Sequence, residues 1–268
     1  MKLTFIGGGN MGEAMLAAIL KQEVARAADI TVVDISASRL HYLREEYAVN
    51  VSAGTSGAVA GSDIVVLAVK PQQLSHHSMK ALAGSLKPVQ LLLSIVAGAK
   101  INTLSSSLGH NCIVRVMPNT PAQIGEGVSV WTATPDVSNE QKDLAAAILG
   151  AMGKQFCVEE ERYLDMATAV SGSGPAYVFL FAEALIGAAR EIGLSDEMAK
   201  ELAIQTVAGS ARFMALSNST PAELRKKVTS PGGTTAVALS CLKEGDFTGL
   251  VAKAVRAAYE RARELGQE

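Results

Sequence analysis

The residues most able to do chemistry come first in the chain. The run Leu3-Thr4-Phe5-Ile6-Gly7-Gly8-Gly9-Asn10-Met11-Gly12 fits G-x-G-x-x-G with Gly7, Gly9 and Gly12. An apolar run leads into it, and a helical pattern leads out from Glu13 to Lys21. An acidic residue, Asp34, ends the next apolar run about 20 residues on. In that context each glycine has a physical task. Gly7 permits the tight turn, Gly9 lets the backbone approach a pyrophosphate, and Gly12 lets the helix pack against the strand. The phosphates then lie at a helix N-terminus, where free N–H groups and the dipole favour an anion. The pattern predicts a bound dinucleotide and nicotinamide-dependent redox chemistry. A purely structural turn does not call for strand, helix and acid together.

Asp34 bears on which dinucleotide. A carboxylate there accepts from a ribose 2′-OH and repels a 2′-phosphate, whereas Ser36 and Arg39 can bind that phosphate. The residues alone leave NADPH and NADH both open. Three further segments end apolar runs: Lys70-Pro71, Ile95-Val96-Ala97-Gly98 and Arg115-Val116-Met117-Pro118-Asn119-Thr120-Pro121. Carboxyl ends of parallel strands line the ligand crevice of such folds. Lys70 is therefore expected near the cofactor. The small residues at 95–98 would admit a nicotinamide ring, and Asn119 and Thr120 offer donors and acceptors.

The second half carries two motifs of another kind, Ser171-Gly172-Ser173-Gly174-Pro175-Ala176-Tyr177 and Thr229-Ser230-Pro231-Gly232-Gly233-Thr234-Thr235. Each places Gly, Ser or Thr, and Pro before a helical pattern. A glycine-rich loop that opens a helix can hold a carboxylate. Capped helix starts with no ligand would look the same, but two of them beside a cofactor domain point to substrate binding. Other chemistries lack their residues. His41, His76, His77 and His110 show no H-E-x-x-H spacing, no metal site is expected, and there is no G-x-S-x-G elbow or Walker loop.

The elements that must position these residues follow from periodicity. Apolar runs at Leu3–Ile6, Ile30–Asp34, Val49–Val51, Ile64–Val69, Leu91–Val96, Cys112–Met117, Gly127–Thr132 and Gln155–Val158 read as strands, mostly buried on both faces. Helical patterns lie between many of them. This is the alternation of a doubly wound α/β sheet. After about Glu160 only helical patterns follow, with Ser173, Ser195 and Thr220 as expected caps. We expect a Rossmann-type domain over residues 1–158 and an all-helical domain over 159–268. Several of its helices are apolar nearly all round, which predicts burial against a second copy in a homodimer.

Composition narrows the class further. Net charge is −2 and aromatics make up 4% of the chain, so no nucleic-acid partner is expected. Cys112, Cys157 and Cys241 are odd in number and widely spaced, which fits reduced thiols and a cytoplasmic address. The apolar stretch from Ala176 to Ala189 is broken by Glu183 and falls short of the ~20 residues of a span, so no membrane is expected.

The motifs Phe5 to Met11, Ala68 to Pro71, Arg115 to Pro121, Ser171 to Tyr177 and Ser230 to Thr235 occur in an order that resembles the pyrroline-5-carboxylate reductases over essentially the whole length. The resemblance implies reduction of the cyclic imine Δ1-pyrroline-5-carboxylate to L-proline with NADPH, or with NADH as the alternative. It implies a helical C-terminal domain that dimerises by interlocking, and five dimers assembling into a decamer. It places cofactor contacts at Ile6, Gly7, Gly8, Gly9, Asn10, Met11, Ser36, Thr55, Val69, Lys70, Ile95, Val96 and Ala97. The substrate carboxylate would lie on the backbone of Ser230, Gly232, Gly233 and Thr234, with the Thr235 hydroxyl on the ring nitrogen and Glu161 at the same site. Thr55 and Lys227 stand where the family often carries Asn, and Asp34 is less usual among NADPH-preferring members.

Two other readings make different demands. A β-hydroxyacid dehydrogenase of the 3-hydroxyisobutyrate type needs a lysine four residues after the second glycine of a Gly-x-Gly motif, and here that position is Val178. A non-catalytic sensor of NAD(H) would be expected to carry a degraded second loop, and Ser230 to Thr235 is intact.

Overall fold

The computed structural model describes residues 1–74 and 76–266. The strands are β1 (Leu3–Ile6), β2 (Ile30–Val33), β3 (Asn50–Ser52), β4 (Ile64–Leu67), β5 (Leu91–Ser94), β6 (Ile113–Met117), β7 (Gly127–Ala133) and β8 (Gly153–Cys157). They form one 8-stranded sheet in the order β3-β2-β1-β4-β5-β6-β7-β8. The order reverses at β1 and β4, which is where doubly wound sheets open a crevice. Helices α1 (Asn10–Lys21), α2 (Ala37–Tyr47), α3 (Thr55–Val59), α4 (His76–Ala83), α5 (Ile101–Leu108) and α6 (Asn139–Gly150) complete this layer arrangement.

The continuous apolar runs are split between two faces by the pleat. Ile64 and Val66 of β4 join one core cluster with Met15, Ile19 and Ile148. Val65 and Leu67 join the other with Val59, Met79 and Leu104. Both faces are thus covered, as the Val/Leu composition demands. One pair departs from the expected parallel pattern: β6 and β7 are antiparallel. Their link, centred on the 3₁₀ turn Thr120–Ile124, is shorter than the dozen or so residues that a parallel crossover needs.

Beyond the sheet the chain is helical, with α7 (Arg162–Ala167), α8 (Gly174–Glu191), α9 (Asp196–Leu216), α10 (Pro221–Lys227), α11 (Thr234–Glu244) and α12 (Phe247–Leu265). Ser195 and Thr220 cap α9 and α10 as their spacing predicts, accepting from Met198 N and Glu223 N. Ser173 does not cap. Its backbone is helical, because a π turn over Thr168–Gly172 joins α7 to α8. The small residues there admit a neighbour: a Cβ on Gly172 would lie 2.5 Å from the Met117 methyl. The joined run Arg162–Glu191 is, by length and composition alone, apolar enough to cross a membrane, which the shorter stretch counted from sequence did not suggest.

The change from sheet to helices falls after Cys157, but compactness divides the chain later. One unit comprises Met1–Ser173 with the chain from Ala258 on, and the other is Gly174–Ala257. Leu164 and Asp165 of α7 and Ala169 of the π turn are buried and tie this segment to the first unit. The second unit has hardly any core of its own. Only Ala199 and Ala203 are buried within it, while Phe179, Leu180 and Phe181 of α8 and Ile204 and Phe213 of α9 are exposed.

Candidate active site

In the first unit the expected cofactor residues gather at the carboxyl edge of the sheet. Backbone bonds extend the ladders past the strand ends: Gly7 N to Val33 O at 2.8 Å, Ala68 N to Ile6 O at 2.8 Å and Ile95 N to Leu67 O at 3.0 Å. Ile6, Asp34, Val69 and Ile95 are thereby brought to one edge. Lys70 and Pro71 follow Val69 and are exposed, with Lys70 preceding a 3₁₀ turn. Ile95 and Val96 are buried and Ala97 is exposed beside them. Thr55 opens α3, directly after the turn that leaves β3.

The glycine loop fits a pyrophosphate by its own geometry. Gly7 has φ +101, and a Cβ there would meet Ala68 O at 2.7 Å. A Cβ on Gly12 would meet Gly7 O at 2.7 Å, so α1 lies against the strand as closely as its backbone allows. A Cβ on Gly9 would meet nothing within 4 Å. That open face lies at the N-cap of α1, where no side chain caps the helix. The N–H groups of Asn10, Met11 and Gly12 therefore face a position suited to an anion.

Asn119 is built differently from the other candidates. It is buried, its Oδ1 accepts from Val128 N at 2.8 Å, and its Nδ2 donates to Ser171 O at 3.2 Å. Its amide braces β7 and the π turn.

A charged cluster that spacing did not reveal is built on the middle of β6. Arg115, with its side chain only 5% exposed, donates from Nη1 to Glu161 Oε1 at 2.7 Å and from Nη2 to Asp165 Oδ1 at 3.5 Å. Glu161 Oε1 also accepts from Ile101 N at 2.8 Å. Its Oε2 has no partner among the described residues. Glu161 and Asp165 stand at i and i+4 on a helix start, the one signal in the sequence that they share a face.

In the second unit, Ser230, Gly232, Gly233, Thr234 and Thr235 come together at the start of α11. Gly233 N bonds Ser230 O at 3.1 Å, closing the turn, and Gly232 takes φ +70. Gly233 is the N-cap and has no side chain to cap with. The N–H groups and hydroxyls of Thr234 and Thr235 have no partners among the described residues. The loop is a set of aligned donors beside two free hydroxyls. Lys227 donates to Ser219 Oγ at 2.9 Å.

A cavity of about 200 Å³, lined in part by Leu86, Leu108, His110 and Asp136, lies at the opposite edge of the sheet, before β5 and β6. None of the candidate residues above lines it. Among the described residues no cluster of His, Cys, Asp or Glu could hold a metal ion.

Comparison with known proteins bears on both units. A family model described as pyrroline-5-carboxylate reductase dimerisation matches residues 161–265. One described as NADP oxidoreductase, coenzyme F420-dependent, matches residues 2–98. The pyrroline-5-carboxylate reductase of Pseudomonas aeruginosa is 41% identical over 268 residues, covering 100% of this chain and 97% of that protein. A solved pyrroline-5-carboxylate reductase from Coxiella burnetii superposes with a TM-score of 0.89 at 36% identity, covering 98% of each chain. A pyrroline carboxylate reductase from Plasmodium falciparum, solved with NADP bound, gives 0.88 at 33% identity over 99% of this chain and 98% of that one.

Proposed function

The chain belongs to the pyrroline-5-carboxylate reductase family, and we propose that it reduces Δ1-pyrroline-5-carboxylate to L-proline with NADPH or NADH, as the last step of proline synthesis. The observation that carries this reading is the start of α11, where uncapped N–H groups and the hydroxyls of Thr234 and Thr235 follow a Gly-Gly turn. A cyclic imine acid asks for such an arrangement: an anion cradle for its carboxylate and one hydroxyl for its ring nitrogen.

A bound nicotinamide dinucleotide would supply the hydride that reduces the imine carbon, while the substrate nitrogen would keep the proton it already carries. The chain's own residues bind and orient. Gly7, Gly8, Gly9, Asn10, Met11 and Gly12 take the pyrophosphate, with Asp34 and Ser36 at the adenosine ribose. Thr55, Val69, Lys70, Pro71 and Ile95 to Ala97 border the rest of the dinucleotide. The backbone of Ser230 to Thr234 holds the substrate carboxylate, Thr235 Oγ1 bonds the ring nitrogen, and the free Oε2 of Glu161 accepts from the bound ligands. No strong acid is needed, because the nitrogen is protonated before reduction. Orientation and hydrogen bonds that fit the transition state carry the rate. This accounts for a site built without histidine.

Dimerisation follows from the family domain over residues 161–265. We read the exposed apolar faces of α8 and α9 as the surface that a second copy covers, rather than as a membrane face. Assembly of five dimers into a decamer and a cytoplasmic address belong to the same proposal. The family resemblance supports the first, and three unpaired cysteines support the second. Light scattering that gives only a dimer mass would overturn the decamer.

The test of function is consumption of NADPH or NADH with Δ1-pyrroline-5-carboxylate and identification of L-proline as product. Thr235→Ala is expected to lower kcat by at least about tenfold with cofactor affinity unchanged, as for a contact made mainly in the transition state. An unchanged kcat would remove Thr235 from this role.

A further inference from the structure

The corner of the glycine loop that meets the adenosine ribose holds one residue that the family motifs do not include, Glu13 on α1. Asp34 is fixed there by two backbone groups: its Oδ2 accepts from Gly8 N at 2.8 Å and its Oδ1 from Ser36 N at 2.9 Å. Ser36 and Ser38, 3.0 Å apart between their hydroxyl oxygens, sit at the start of α2. Arg39, on the same helix, donates from Nε to Gly8 O at 2.5 Å and lies over the Tyr42 ring at 5.1 Å. Its Nη2 pairs with Glu13 Oε2. Glu13 is held in turn, its Oε1 accepting from the hydroxyls of Tyr42 at 3.0 Å and Tyr47 at 2.9 Å. Arg39 Nη1 has no partner among the described residues.

The charges at this corner compete. Asp34 and Glu13 are acidic, Arg39 is basic, and a ribose 2′-phosphate brings close to two more negative charges. With Glu13 on its guanidinium, Arg39 offers that phosphate Nη1 and the second N–H of Nη2, at a largely compensated charge. A 2′-OH instead meets Asp34 oxygens that keep a free lone pair each.

We propose that Glu13 is a positioning residue that sets cofactor selectivity: by latching Arg39 to the glycine loop it withholds cationic charge from a 2′-phosphate, and so keeps NADH competitive with NADPH. This rests on the reading that the loop takes a nicotinamide dinucleotide, and it concerns binding rather than imine reduction.

The experiment is the Kd of NADPH and of NADH, measured by cofactor fluorescence with no imine present. Glu13→Gln keeps the shape and removes the charge. It should tighten NADPH by about tenfold, as expected for removing one unit charge near a doubly charged phosphate, and leave NADH within about twofold. Arg39→Ala should weaken NADPH by a similar factor and affect NADH little. In the double variant the Glu13 effect on the ratio should largely vanish, because the two residues act as one unit. If Glu13 only staples α1 to α2, E13Q lowers Tm and leaves the NADPH/NADH ratio unmoved, which overturns the proposal. Should E13Q not fold, R39A decides: unchanged NADPH affinity in that variant refutes the latch. A wild-type protein that binds neither dinucleotide overturns the functional reading, and this inference with it.

Discussion

Two carboxylates show how single residues are held in service of the site. Glu161 is locked on one oxygen by Arg115 and by Ile101 N, which leaves the other free. Arg115 is buried, and so is Asp165 beside it. Arg115→Met would leave Asp165 buried without its cation, and we expect a loss on the order of 3 kcal/mol. Trp131, the sole tryptophan, pairs with Val116 across β6 and β7 and reports unfolding there. Urea titration of its fluorescence should show the loss, with Arg115→Lys retaining part of the stability; equal midpoints for wild type and the Met variant would mean the pair contributes nothing. Glu13 gives a prediction in pH. Burial pushes its carboxyl up, but bonds from Arg39, Tyr47 and Tyr42 outweigh this and hold it below the ordinary carboxylate value. A group with a lowered folded pKa stabilises above its unfolded pKa, and that contribution is lost as pH falls through the folded value. Glu13→Gln should therefore be less stable than wild type at neutral pH, and the two should converge below pH 4.5, the ordinary value. Midpoints that stay parallel down to the acid limit would contradict this.

At the scale of elements, the glycine loop separates two roles that a motif merges. Gly12→Ala places a methyl 2.7 Å from Gly7 O and must push α1 off the strand. A cost of about 1–3 kcal/mol is expected, together with weaker dinucleotide binding. Gly9→Ala meets nothing within 4 Å. It should leave stability within about 0.5 kcal/mol while weakening NADPH and NADH alike, because its methyl stands where the pyrophosphate approaches. Calorimetry and cofactor titration on the two variants test the contrast; equal destabilisation by both would sink it. The same elements show what the sequence could disclose. The inner strands β1, β2, β4, β5 and β6 stood out as apolar runs, because strands buried on both faces can carry little else, whereas the edge strands β3 and β8 are partly exposed and carry Asn50, Lys154 and Gln155. The start of α11 was legible because Gly232-Gly233 must precede it. The antiparallel turn of β7 was not, since link length and not composition decides it. The π turn was hidden because Ser171-Gly172-Ser173 reads as a break, whereas its small residues serve the close approach of Met117. The network of Arg115, Glu161 and Asp165 joins residues about 50 positions apart, and no local period encodes such a contact.

The whole molecule is shaped by an imbalance between its units. The first unit has two core clusters on the faces of one sheet. The second buries only Ala199 and Ala203 within Gly174–Ala257 and leaves Val178, Phe179, Leu180 and Phe181 of α8 exposed in a single chain. An apolar surface of that extent is stable in water only when covered, and on our proposal a second copy covers it, in keeping with the dimerisation domain matched over residues 161–265. Folding of this unit and dimerisation should thus be one event, as in obligate dimers. Three consequences can be measured. Tm should rise with protein concentration. Leu180→Asp, which places a charge on the face to be buried, should shift the mass to that of a monomer and remove most of the helical signal of this unit together. The first unit should keep its own unfolding transition, reported by Trp131, because neither of its cores includes a residue of Gly174–Ala257. A Leu180→Asp chain that is monomeric yet fully helical would show that the second unit folds alone, and the coupling would have to be abandoned.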